Sequence, residues 1–212
     1  MTSLERTLRG ASDAVSKRAI MRPAMLLLVL LCTAAQAHAG EPGRNPLAVT
    51  TATVQPALVF PRIHGAGGVL TVDASAAMPS TSAVHRMLVD ISDDATTPEG
   101  INRRLDDAAR ALNLYAMAGV PDDKVRIAIL LHGKGTPLAL SDAAYARKFG
   151  HANHDAKLIV QLRTAGVELF VCGQALGRQG FTAADVRPEV RLALSALTKR
   201  EELQAAGYGA IP

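Results

Sequence analysis

Near-continuous apolar runs, spaced by helical patterns, constrain this chain more than any other feature. Residues 125–131 (VRIAILL) and 167–172 (VELFVC) are two such runs, and Met87-Leu88-Val89 with Ile91 makes another upstream. A strand with one wet face alternates apolar and polar residues, whereas a strand covered on both faces is apolar nearly throughout. Residues 190–197 read as a fourth strand of this kind.

The intervening segments carry helix signals. Thr97 is placed to cap a helix with Pro98 at its first position. Ile101, Leu105, Ala108, Leu112 and Tyr115 then recur at steps of four and three, which makes one apolar stripe. Arg103 with Asp107, and Asp106 with Arg110, fall at i,i+4 on the wet side, and Gly119 ends the helix. Ser141 starts a short helix that stops near Gly150. Asn153 caps another, with Leu158, Ile159 and Leu162 facing inward and Gly166 closing it. Thr182 and Asp185 resemble a capping box, and a last helix is expected over residues 199–206, stopped by Gly207. Strands and helices in alternation predict an α/β fold. The form expected is a three-layer sandwich around a parallel sheet of about four to five strands, in a flavodoxin-like arrangement.

Right-handed crossovers bring the C-terminal ends of all such strands to one edge, where ligands bind near a switch in strand order. The residues just past the strands are therefore the candidates. They are Asp90, Ser92 and Asp93 after the first, His132-Gly133-Lys134-Gly135-Thr136 after the second, and Cys172-Gly173-Gln174 after the third. Each has a plainer reading. Cys172 fits a small core residue as well as a reactive thiol. His132 fits a strand-closing backbone hydrogen bond, and Asp93 and Asp94 fit solvated turns. The Gly133–Thr136 stretch lacks the glycine spacing of a phosphate-binding P-loop. His151, His154 and Asp155 lie on a loop with no second ligand cluster, so they read as surface residues and no metal site is predicted.

Upstream, residues 1–39 read as a signal peptide. Lys17, Arg18 and Arg22 form a basic region, residues 24–35 (AMLLLVLLCTAA) an apolar core, and Ala37-His38-Ala39 a small-residue cleavage site before Gly40. The apolar core is short for a membrane span. Export followed by cleavage would leave the protein periplasmic, with no membrane attachment. Residues 40–83, rich in Pro, Gly, Ala and Thr, read as an irregular arm that packs on the domain, with residues 69–72 able to form a short strand. Residues 84–212 form the α/β domain. Residues 1–39 hold five basic and two acidic residues, so the +4 of the whole chain falls near +1 after cleavage. No basic face argues for nucleic acid. The leader also contains Cys32, so the mature chain keeps the single thiol of Cys172 and forms no internal disulfide.

Several segments, in order, make the chain similar to a known family. They are Gly65-Ala66-Gly67-Gly68-Val69, Leu88-Val89-Asp90-Ile91-Ser92, Arg110-Ala111-Leu112-Asn113-Leu114-Tyr115, Leu131-His132-Gly133, residues 166–174 (GVELFVCGQ), Ala193-Leu194-Ser195-Ala196-Leu197, and Leu203-Gln204 with Gly207-Tyr208. Together they resemble the DsrE/DsrF-like sulfur-relay proteins, in particular an exported, signal-peptide-bearing branch. The resemblance implies a compact α/β domain that forms homo-oligomers, with no cofactor. It also implies a cysteine after this strand that carries sulfane sulfur as a persulfide, and Cys172 occupies that position. Cytoplasmic members hand sulfur to partners that an exported protein does not meet, so the donor and acceptor proteins are left open.

The residues then favour a periplasmic protein that binds or relays sulfane sulfur on Cys172, with His132, Gly133, Asp90, Ser92, Gly173 and Gln174 shaping the pocket. Sulfur transfer needs a thiolate, which nearby backbone N–H groups and positive charge favour. The Gly173-Gln174 turn offers the former and Arg178 the latter. Whether transfer amounts to enzymatic turnover is open. A non-catalytic module that binds a small ligand or a protein at the same edge is the alternative. A third reading makes Cys172 and His132 a nucleophile and its base, and no third group in the sequence is marked to orient the imidazole.

Overall fold

The computed structural model describes residues 56–73 and 75–211. The segment read as a signal peptide, with Cys32, and the first part of the arm lie outside the described residues. Five parallel strands form one sheet: β1 (His85–Ile91), β2 (Val125–Leu131), β3 (Glu168–Cys172), β4 (Val190–Ala193) and β5 (Gly209–Ala210). Their order across the sheet is β4-β3-β2-β1-β5. The helices are α1 (Arg103–Met117), α2 (Asp142–Phe149), α3 (Ala156–Thr164), α4 (Gly173–Arg178) and α5 (Ala196–Ala205).

The period of two along each strand explains the continuous apolar runs. Val89, Ile91, Ile129, Leu131, Leu169 and Val171 pack in one core with Leu105, Ala108 and Leu112 of α1 and with Leu158, Ile159 and Leu162 of α3. Leu88, Ala128, Leu130, Phe170 and Cys172 form a second core with Ala196 and Leu203 of α5. The sheet is thus covered on both faces, the three-layer α/β fold expected. Among the described residues the second face has one helix of ten residues, about 15 Å long. It does not cover the whole sheet. Arg126, Glu168 and Arg191 occupy the remainder, with an Arg191–Glu168 ion pair and the Arg191 guanidinium 4.5 Å from the Phe170 ring centroid. These are the charged residues that interrupt the apolar runs.

Several local expectations are corrected. α1 begins at Arg103, not after Thr97. Thr97 instead opens a turn closed by Gly100 N–H to its carbonyl at 3.0 Å, with Gly100 at φ 81°. The cap is Asn102, whose Oδ1 accepts Arg104 N–H at 3.0 Å and Leu105 N–H at 3.3 Å. Arg110 pairs with both Asp106 and Asp107, while Arg103 turns to the Thr96 carbonyl. Asn153 accepts Asp155 N–H at 3.0 Å, one turn ahead of α3, rather than capping it directly. β4 stops at Ala193 because the Ser195 hydroxyl accepts Thr198 N–H at 3.1 Å and starts α5 there. Leu194 and Leu197, read as strand, are exposed at the start of that helix. Residues 69–72 form no strand; Val69 makes a single bridge to Val59.

The described part of the arm is anchored on α1 by two side chains, Asn113 and Asp106, the latter accepting Gly67 N–H through Oδ1 at 2.6 Å. The fully buried Asn113 accepts Arg62 N–H and Ile63 N–H at 2.9 and 2.8 Å. Its amide donates to the carbonyls of Ile63, Ala66 and Gly67 at 3.2, 3.1 and 2.9 Å. Gly67 lies so close to α1 that a Cβ there would sit 2.1 Å from Arg110 N, which only glycine permits.

The strand order reverses between β1 and β5, because β1 to β4 run in one direction across the sheet and β5 returns to the far side of β1. Cys172 ends β3, two strands away from that switch.

Candidate functional site

Cys172 is the last residue of β3 and the N-cap of α4, in extended conformation (φ −68°, ψ 115°). A chain leaving a strand straight into a helix needs an acceptor for the first free N–H groups. The Cys172 Sγ supplies it, accepting Ala175 N–H at 3.4 Å. Gly173 permits the transition beside β4, since a Cβ there would lie 3.0 Å from the Ala193 carbonyl oxygen. Cys172 is only 6% exposed and packs with Phe170, Leu130, Ala193 and Ala196. It nevertheless lines a cavity of about 400 Å³ that opens at the C-terminal edge of the sheet. Both sequence readings of this thiol, small core residue and cavity-facing group, describe part of its setting.

His132 faces the same cavity from the end of β2. Its backbone N–H closes the strand pair by donating to the Ile91 carbonyl at 2.9 Å. Its Nε2 lies 2.5 Å from Asp90 Oδ1. A carboxylate only accepts, so Nε2 carries the proton and Nδ1 of the neutral ring is left as the acceptor. The other Asp90 oxygen takes Arg200 Nη2 from α5, and the same nitrogen lies 3.4 Å from His132 Nε2. Asp90 is therefore the group that orients the imidazole, and Arg200 holds Asp90. Asp90 stands behind His132 rather than on the cavity wall.

The other sequence candidates divide. Gly133 and Gln174 line the cavity; Ser92 and Gly173 do not. Ser92 acts through its backbone, accepting Lys134 N–H at 3.0 Å. Gly133 (φ 52°) would place a Cβ 2.8 Å from the Ser92 carbonyl oxygen, and Gly135 one 2.4 Å from that of Ile91. The glycines after His132 exist because this loop crosses directly over the end of β1. Gln179 fastens the loop to α4 by donating to the Gly133 carbonyl at 2.7 Å. Sequence reading missed Gln179, Ser195 and Leu197 on the wall and Arg200 behind it. Arg178 also lines the wall and has no ion-pair partner among the described residues. The arrangement places a thiol, an oriented imidazole and a guanidinium around one small space, which suits nucleophilic sulfur chemistry on an anionic donor.

A second cavity, of about 380 Å³, lies on the other side of residues 134–138 and takes in Asp93, Asp94, His151, His154 and Asp155. Asp155 is buried and accepts Asn102 N–H at 2.8 Å. Burial pushes its carboxyl above the ordinary carboxylate range, while the Asn102 N–H and nearby His154 pull the other way. The Tyr145 hydroxyl is pushed up by burial and by Asp155.

No curated protein matches the chain. A solved structure of a protein of unknown function, MTH1491 from Methanobacterium thermoautotrophicum, is similar over 61% of this chain and 98% of its own, with 19% identity and a TM-score of 0.44. The model of the DsrE/DsrF-like family matches residues 87–212, which take in all of the sheet and helices described above except the first two residues of β1, and the chain belongs to that family.

Proposed function

We propose that the protein binds or relays sulfane sulfur as a persulfide on Cys172. The observation that carries this reading is the Cys172 thiol on a cavity wall, with the Ala175 N–H on its sulfur and His132 and Arg178 sharing the space. The thiolate attacks the outer sulfur of a polysulfide or persulfide donor. The donor S–S bond breaks, the Cys172 S–S bond forms, and the electron pair leaves with the shortened donor. The transferred sulfur is already at the oxidation level of a persulfide, so no separate oxidant is needed. The absence of a second cysteine in residues 40–212 supports carriage, because no neighbouring thiol is there to resolve the persulfide into a disulfide.

Setting and partners follow from other features. The basic region, apolar core and Ala37-His38-Ala39 site support export and work in the periplasm, with a sulfur donor or acceptor protein as partner. A homo-oligomer is favoured by the exposed Leu192, Leu194 and Leu197 (50, 75 and 77% exposed) beside the edge strand β4. Light scattering on the mature chain checks this, and a monomer at tens of micromolar, roughly where −6 to −7 kcal/mol of association would show, would count against it.

A second reading, a binding module without thiol chemistry, is favoured by the low exposure of Cys172. Intact-mass measurement after exposure to polysulfide separates the two. The wild type is expected to gain about 32 Da, one sulfur atom, and Cys172→Ser to gain nothing. A folded wild type that takes up no sulfur leaves the binding module standing.

A further inference from the structure

The second cavity is built differently from the thiol site and has no part in the sulfur chemistry above. Its floor is buried: Asn102, Leu138 and Asp155 are 2, 8 and 6% exposed. One wall is aromatic. Tyr145 and Phe149 lie 4.6 Å apart between centroids, and His151 meets them at 5.6 and 6.4 Å. His154 continues the wall edge-on to His151 at 5.9 Å. Phe149 is 40% exposed, so this ring cluster is not closed off as core.

The charge of the lining is lopsided. Asp93, Asp94 and Asp155 face it against the single ammonium of Lys134, which is paired with Asp94 at 3.5 Å on the exposed rim. Asp155 accepts the Asn102 backbone N–H and has no cation hydrogen-bonded to it among the described residues. Of the other cations nearby, Lys148 points to the Phe181 ring at 6.0 Å, and the Arg103 guanidinium donates to the carbonyl of Thr96, on the cavity lining, at 3.4 Å. Ring faces carry negative potential and attract cations. Carboxylates beside them repel an anion and gain little from a neutral molecule. A volume of about 380 Å³ suits a small ligand.

We propose that this cavity binds a small organic monocation, an ammonium group on an aromatic or methylated frame, with the charge beside Asp155 and the frame against Tyr145, Phe149 and His151. The carboxylates supply the selection for charge and the rings the selection for a flat apolar body.

The test is an NMR titration of the 15N-labelled full chain with benzylammonium, and in parallel with benzyl alcohol and benzoate, which keep the ring and change the charge. Benzylammonium is expected to shift the amides of Gly100 and of residues 149–155 in a saturable way, with a Kd of about 1 mM. The alcohol is expected to bind at least about tenfold more weakly, and benzoate not at all. Phe149→Ala and Asp93→Asn are chosen because they leave the fold alone: Phe149 is exposed, and Asn keeps the acceptor for Ala95 N–H. Each is expected to weaken binding about two- to fivefold. Equal affinity for benzoate or benzyl alcohol would overturn the proposal. So would the absence of saturable shifts, shifts centred away from this cavity, or an unchanged affinity in Phe149→Ala.

Discussion

Asp90 and His132 sit at the C-terminal ends of the adjacent strands β1 and β2, with the carboxylate 2.5 Å from the imidazole Nε2. Residues 42 positions apart in the chain become one unit, and Arg200 from α5 completes it. Neutral His132 should therefore be the Nε2–H tautomer, which nitrogen-detected NMR of the ring can check. Asp90→Ala should remove that preference and leave Arg200 unpaired. Because both side chains are about a third exposed, the stability loss should stay near 1 kcal/mol in denaturant unfolding.

The N-cap role of Cys172 sets a specific expectation for its substitutions. A buried hydroxyl costs most when it lacks a partner. Here Ala175 N–H is already directed at that position, and serine is a better N-cap than most residues. Cys172→Ser should melt within about 1 kcal/mol of the wild type, whereas Cys172→Val, which fills the space but caps nothing, should lose about 1–2 kcal/mol. Calorimetry of the two variants distinguishes capping from simple filling of the core.

Reagent size should govern access to the same thiol. At 6% exposure on a cavity of about 400 Å³, Cys172 should react in the native state with methyl methanethiosulfonate. A maleimide on a long polymer should reach it only after unfolding. Equal rates for both reagents in native protein would mean that the wall around the thiol opens freely.

Asn113 is expected to be among the costliest polar positions to lose. It makes five hydrogen bonds to the arm while fully buried. Asn113→Ala strands several buried backbone groups at once and should cost about 3 kcal/mol or more. Limited proteolysis should then cut near residues 62–67, while the same segment of the wild type is expected to resist.

Asp155 gives a pH signature. Its carboxyl is raised above the ordinary 3.8, chiefly by burial. The folded state thus takes up this proton more readily than the unfolded one. Its contribution is complete below the ordinary carboxylate value and is lost as pH rises through the raised one. Asp155→Asn, which keeps an acceptor for Asn102 N–H, should gain stability relative to the wild type as pH rises through that window and hold the gain to neutrality. Melting temperatures of the pair between pH 3.5 and 7 test this; a difference that does not change with pH would remove the burial effect.

Much of the molecule was legible because burial writes itself into periodicity. β1, β2 and β3 are each covered on two faces, and that requirement alone makes their residues apolar in succession, which marks a parallel α/β sheet. Strand polarity then places Asp90, His132 and Cys172 at one edge. The start of α5 was not legible, since Leu192, Leu194 and Leu197 look like strand while the Ser195 hydroxyl starts the helix. β5 is two residues long, below any periodic signal.

What the sequence determined by itself is therefore the fold class and the strand-end edge to which Cys172 comes. What only the tertiary structure decided is which groups meet there. Arg200 reaches Asp90 across 110 positions because α5 crosses the second face of the sheet, and Cys172 caps α4 because β3 ends with no turn between strand and helix. Contacts between elements depend on strand order and helix placement. Neither leaves a period in the chain, because each is set by how the assembled faces bury one another.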